Sequence, residues 1–320
     1  MAGRCCAYLL QRSGISFSVG PASRVGVPAI LLSASALALL RDVFGNGSLL
    51  QDAYQITRRV VAWNRGAPPV TLPHSAVVVS EELLLRGALP ELGLGSQQRD
   101  YTVYAASPLP EGVTVHGFGT RRAVSCAVAL RRKTLEGTCW MESLAGGWLF
   151  LVQDGPGSGW LLCVGGSIDD LLPQSQLVRE QIDERSPIVA TFAAYPRIAS
   201  ALAAPGWLAC GTAAMAFDPI CGDGTAYAVR EGILASAVVA GLSQGGDAEA
   251  LLRHYQARSI AGFRRHLELC REFYNTGYGG AWWTEELASI EQGIAWCALE
   301  QRSHSPFQFR LNGFALERLV

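Results

Sequence analysis

The run Trp207-Leu208-Ala209-Cys210-Gly211-Thr212, followed by Asp218-Pro219 and then Gly222-Asp223-Gly224-Thr225, constrains the fold more than any other part of the chain. Residues 208–211 read as a short buried strand. Gly-Thr ends it, Asp-Pro makes a turn, and the glycines at 222 and 224 open a helix of small residues that reaches about Leu242. Glycine has no Cβ, so a ligand can come up against the backbone there. The free N–H groups of a first helical turn then face it with the positive end of the helix dipole. The bound group is expected to be electron-rich. A plain helix N-terminus packed on a strand would account for a lone Asp-Pro, but Gly-Thr before it and Gly-x-Gly after it favour a ligand.

Composition narrows the partners. The 26 basic and 27 acidic residues leave a net charge of −1, so no overall field draws the chain to nucleic acid or to an anionic membrane. With 49% hydrophobic and 17% charged residues, a disordered chain is excluded. The 320 residues correspond to two domains of about 150 residues, or to one large domain with an added layer. The longest apolar stretch, Val27 to Leu40, is broken by Pro28 and two serines and is too short to span a bilayer. The first residues carry no export signal, so a cytoplasmic location is expected. Nine cysteines are scattered without a CxxC pair and read as reduced core thiols, with no metal site. Walker, HExxH and nucleophile-elbow motifs are absent.

Along the chain, a helix is expected over 3–12, ending at Ser13-Gly14, then a buried strand from Ile15 to Val19. Residues 28–44 read as a loop entering a helix capped by Ser33 or Ser35. Strands are expected at 60–63, 70–72 and 77–79, and a helix at 80–89. An antiparallel meander is expected from Ser125–Leu130, Gly137–Glu142, Trp148–Val152 and Trp160–Val164. The pattern over 173–188 is helical. After 224 the chain reads as predominantly helical, with a long helix at about 247–275 and aromatic-rich segments to the end.

The segment 206–242, and more loosely 3–44, resembles FAD-dependent oxidoreductases of the glutathione-reductase superfamily. The branch is that of flavin-dependent halogenases, geranylgeranyl reductases and aromatic hydroxylases. It is most similar to the flavin monooxygenases that modify tryptophan during tryptophylquinone maturation. The resemblance implies an α/β (α+β) fold: a Rossmann-like FAD-binding layer (1–54 and 166–245), an antiparallel-sheet substrate layer (55–165) and a C-terminal helical region (246–320). It places Gly211, Thr212, Asp218, Pro219, Gly222, Asp223, Gly224 and Thr225 around the flavin, and Gly3 at the end of the dinucleotide-binding turn. Several features depart from the family pattern. A first strand and two glycines before Gly3 are absent, through a misplaced start or a trimmed fold. Gly20-Pro21 stands where a ribose-binding acid is expected, and Thr212 replaces the Asp that binds the ribityl chain. These losses are expected to weaken FAD binding.

The same resemblance frames the chemistry. Halogenation needs a lysine beside the substrate. The sole lysine, Lys133, lies in a charged turn, and Gly146 to Leu151 lacks the tryptophan motif of halogenases. Hydroxylation of a small aromatic or peptide substrate through a flavin hydroperoxide fits better, with electrons from NAD(P)H or a flavin reductase. His74 and Glu142 are candidate proton-handling groups and Trp140 a candidate pocket wall. The plainer reading has His74 capping a turn and Glu142 facing solvent. Trp282-Trp283 is either a packed pair or an aromatic contact for a peptide. Two other readings stay open: a degenerate flavoprotein acting as a binding partner, and an isoprenoid saturase.

Overall fold

β-Branched and aromatic residues are dense between 54 and 165, and that block builds most of one nine-stranded sheet in the computed structural model, which describes residues 1–20, 26–88, 101–302 and 308–319. Pro21 and Leu89, named above, lie outside the described residues. From one edge the sheet runs through β1 (Ile30–Ser33), β3 (Val70–Val79), β2 (Tyr54–Ala62), β7 (Thr138–Leu144), β8 (Gly147–Gly155), β9 (Ser158–Gly165) and β6 (Arg122–Leu130). β10 (Ile182–Arg185) and β11 (Ala190–Ala193) both pair with β6. Only the β2–β7 pair is parallel; the others are antiparallel. The strands expected at 125–164 all form. β6 pairs with β9 rather than with its chain neighbour β7, which frees β7 to lie against β2.

Strand alternation then sorts side chains to two faces. Trp140, Leu149, Leu151, Leu161 and Cys163 pack on one face against Ile168, Leu171, Val178 and Ile182. Met141, Trp148 and Val164 go to the other face, where they meet residues of two long helices, α7 (Ala248–Asn275) and α8 (Ala281–Arg302). Because both faces are covered, every residue of β7 is buried.

A smaller layer contains β4 (Thr102–Tyr104), parallel to β14 (Trp207–Ala209), which also pairs with β13 (Ala203–Ala204). Beside it, β5 (Val115–Gly117), β12 (Arg197–Ala199) and β15 (Met215–Ala216) form a third sheet. α1 (Ala2–Arg12) packs on α6 (Gly224–Ser243), and Gly232 allows this, since a Cβ there would lie 2.6 Å from the Ala2 carbonyl. α6 is long and apolar enough to cross a membrane by length and composition, yet 56% of its apolar window is buried in the fold, as in a core helix. α2 (Ala34–Phe44) is capped by Ser33, whose Oγ accepts from the Ala36 N–H at 3.2 Å. α3 is Glu81–Ala88.

Three expectations are corrected. Residues 15–19 form no strand; Ile15 and Phe17 are partly buried against the main core while their neighbours are exposed, so the segment covers the core without joining a ladder. The helix expected over 173–188 is replaced, after the short α4 (Ile168–Leu171), by two 3-10 turns and β10. Its backbone donors at 176–178 turn to the Glu142 carboxylate instead of to helical carbonyls. The chain does not stay helical to its end: β16 (Phe309–Asn312) and β17 (Ala315–Arg318) form a hairpin, with Gly313 at φ 58° in its turn.

Candidate active site

A buried ion cluster builds the turn at Asp218. The Asp218 carboxylate accepts from Arg121 Nε at 2.6 Å, from the Tyr274 hydroxyl at 3.0 Å and from the Ile220 N–H at 2.9 Å. Arg121 also pairs with Glu286, and the Tyr274 ring lies 4.6 Å from its guanidinium carbon. Burial alone would make Arg121 easier to deprotonate. Asp218, Tyr274 and Glu286 overcome it and hold the guanidinium charged. With Asp218 as its cap, Pro219–Cys221 winds into a 3-10 turn that ends at Gly222, φ 65°, a left-handed conformation costly for any residue with a Cβ. Asp223 then precedes α6, and no side chain caps that helix.

This turn borders a pocket of about 300 Å³. Gly222, Asp223, Cys221 and Tyr227 form one wall, while Ser33 ends β1, Ser35 opens α2, and Arg59 and His74 come from β2 and β3 of the large sheet. Leu269 of α7 closes a third side. An Arg59 Nη and His74 Nε2 lie 3.0 Å apart. A guanidinium can only donate, so His74 accepts at Nε2 and carries its proton at Nδ1. Burial, and then the Arg59 charge, hold the His74 pKa below its ordinary value. Asp223 is turned to Arg230 at 3.1 Å. Arg59 and the uncapped start of α6 therefore make the pocket electropositive. Leu269 in the lining is 44% exposed, and Leu72, opposite Arg59 in the β2–β3 ladder, is 47% exposed.

The structure brings some of the residues singled out above to this pocket and sends others elsewhere. Gly222, Asp223 and His74 line it, and Gly224 follows directly, exposed, with no atom of the described residues within 4 Å of where its Cβ would be. Thr225 is half-buried in the first turn of α6. Asp218 is fully engaged within the protein and is not open to a ligand; with Pro219 it shapes the turn. Gly211, φ 56°, and Gly3 are sites of close packing: a Cβ on Gly211 would come within 2.8 Å of Ala2, and one on Gly3 within 2.6 Å of Ala105. Thr212 is exposed and donates to the Ala105 carbonyl at 3.4 Å.

Glu142 neither handles protons in the pocket nor faces solvent. It is buried and accepts from Ser175 Oγ and from the N–H groups of Gln176, Leu177 and Val178, which anchors that loop. Trp140 is buried two residues away on the same face, opposite to α7. Lys133 sits on the exposed turn between β6 and β7. Trp283 is buried and donates to the Leu144 carbonyl at 2.8 Å, with Trp282 edge-on at 5.0 Å, so the two are a packed pair. Arg59 was missed by sequence reasoning; its only signal was a second arginine beside Arg58 on a strand otherwise rich in apolar residues.

No protein-family model and no curated protein matches the chain. Solved structures do. Peptidyl tryptophan dihydroxylase QhpG, essential for tryptophylquinone cofactor biogenesis, is similar at TM-score 0.71 and 19% identity over 99% of this chain and 84% of its own. The flavin-dependent halogenase CmlS is similar at TM-score 0.67 and 16% identity, over 94% and 69%. This chain has the fold of flavin-dependent halogenases and hydroxylases. Aklavinone-11 hydroxylase, solved with FAD and aklavinone, shares that fold at TM-score 0.62 and 17% identity, over 86% and 67%.

Proposed function

We propose that the chain is an FAD-dependent monooxygenase that hydroxylates an aromatic, tryptophan-like group, free or within a peptide. One observation carries the reading: an electropositive pocket bordered by Gly222 and Asp223 at an uncapped helix start, on a fold that flavin enzymes share. The residues present fit the ring end of FAD. The Gly222–Gly224 backbone is open to close approach, and the first N–H groups of α6 with Arg59 would hold the electron-rich pyrimidine edge. At the dinucleotide end the fit is poorer, since Gly3 is packed against Ala105. Bound there, FAD supplies the electron transfer and oxygen activation, with NAD(P)H or a flavin reductase as the external reductant.

The chain's own residues do the rest. His74, neutral and with its proton at Nδ1, is a hydrogen-bond donor toward a substrate rather than a base at Nε2. Leu31, Tyr227 and Leu269 give apolar walls that exclude water, and exposed Leu72 suits the flank of an aromatic side chain. Halogenation has no lysine at the pocket to support it.

The test is reconstitution with FAD and a flavin reductase, using a tryptophan-containing peptide, labelled dioxygen and added bromide. Label from dioxygen in the indole ring is the expected product. Bromination, or no flavin-dependent product from any aromatic peptide tried, would overturn the reading.

A further inference from the structure

We infer that Cys221 and Cys270 form an oxidisable dithiol at the pocket wall, which hydrogen peroxide converts to a disulfide. Cys221 lies on the turn immediately before Gly222, lines the pocket and is half-buried; Cys270, on α7, is fully buried. Their sulfurs are 3.8 Å apart. The residues are far apart in sequence, so the pair is made by the fold, where α7 passes beneath the Asp218 turn.

His266 completes the cluster, with its Nε2 3.3 Å from Cys270 Sγ, and the three ligating atoms lie within 4.8 Å of one another. That Nε2 already accepts the Asp218 N–H at 2.8 Å. Its lone pair is therefore committed to the turn, and a cation would have to break that bond to use it. The two sulfurs remain free to react with each other.

The two thiols are unequal. A hydrogen bond from Cys270 and the neighbouring His266 pull the Cys221 thiol below its usual range against the opposing effect of burial. Burial, and then Cys221 itself, push Cys270 up. Cys221, which lines the pocket, is thus the nucleophile and Cys270 the protonated partner behind it. The other cysteines are buried, and burial raises each of them.

The reaction balances in two steps. The Cys221 thiolate takes one oxygen of hydrogen peroxide, the O–O bond breaks, and the other oxygen leaves as water after protonation. The Cys270 sulfur then displaces the hydroxyl of the Cys221 sulfenic acid; an S–S bond forms and a second water leaves with the Cys270 proton. The dithiol loses two electrons and the peroxide gains them. Bonding requires the sulfurs to close from 3.8 Å to about 2.0 Å.

The inference needs no flavin, so it stands or falls apart from the monooxygenase reading. The test treats the reduced full chain with stoichiometric hydrogen peroxide. Expected are a mass loss of about 2 Da, reversed by dithiothreitol, and a Cys221–Cys270 cross-linked peptide. Cys221 should also be alkylated by iodoacetamide about tenfold faster than any other thiol. Cys270→Ser should trap Cys221 as a sulfenic acid that dimedone labels, whereas Cys221→Ser should leave Cys270 unlabelled. The inference is overturned if peroxide leaves both residues alkylatable, or if it links a different pair. It is equally overturned if added zinc binds with one-to-one stoichiometry and blocks the cross-link. Mapping of the wild-type chain decides the matter even if a variant fails to fold.

Discussion

Gly224 separates a glycine kept for the fold from one kept for a ligand. It is exposed, opens α6, has no positive φ, and among the described residues has no atom within 4 Å of its Cβ position. Gly224→Ala should therefore cost the fold nothing. Alanine is favoured over glycine in helices by up to about 1 kcal/mol, less at a first turn, so the apparent Tm should hold or rise by at most about 2 °C in a chain of this size. If a flavin ring lies against the turn, the added methyl enters a packed contact. Overpacking of that kind costs about 1–3 kcal/mol, or about five- to 150-fold in Kd. Thermal unfolding without flavin, followed by FAD titration read by fluorescence quenching, separates the two effects. Gly222→Ala is the contrast: at φ 65° a Cβ costs about 1–2 kcal/mol within the fold itself, so its Tm should drop with no flavin present. If Gly224→Ala folds normally and binds FAD as wild type does, the ring does not rest on this turn.

Three further outcomes follow from buried charge. Burial lifts the Glu231 carboxyl to about 8 while the Gly211 N–H, 2.5 Å away, acts weakly in the other sense, so the folded chain keeps a proton that the unfolded chain gives up above its ordinary 4.5. Its contribution to stability is complete below that ordinary value and declines as pH rises through 8, by at most about 1.4 kcal/mol per pH step; Glu231→Gln should flatten the urea midpoint over this range, and an unchanged slope would refute it. Asp218→Asn removes one of the two carboxylates holding Arg121 and should destabilise by about 3–5 kcal/mol in urea unfolding; a loss below about 1 kcal/mol would show the cluster to be dispensable. Arg59→Met removes the second cause of the depressed His74 pKa, so the NMR titration of His74 should move up, and an unmoved midpoint would mean that the two side chains are not paired in solution.

Local patterns were legible where one face of an element decides everything. The strands of 122–165 and the helices α1, α2 and α7 follow from apolar period and from the Ser33 cap, because those signals lie within a few residues of the structure they specify. Period two, however, says that Trp140 and Met141 point opposite ways without saying which faces α7 and α8. That depends on β7 pairing with β2 and on what covers each side. The Asn312-Gly313 pair, which turns the β16–β17 hairpin, is a short-range signal that the sequence reading passed over.

The site shows the same division more sharply. The glycine turn was readable because its chemistry is written in consecutive residues. Asp218 sits in the same motif, yet its role is set by Arg121 and Tyr274, which lie 97 and 56 residues away. Glu142 looked available because nothing near it in the chain binds a carboxylate, while its true partners are the N–H groups of a loop more than thirty residues on. Arg59 and His74 meet only because β2 and β3 are antiparallel, with a register irregularity between Ile56 and Arg58 that sets which residues oppose. A buried charge is specified by long-range partners, and a backbone turn by its own residues. Sequence reasoning therefore finds an open backbone turn before it finds which ionisable groups lie beside it.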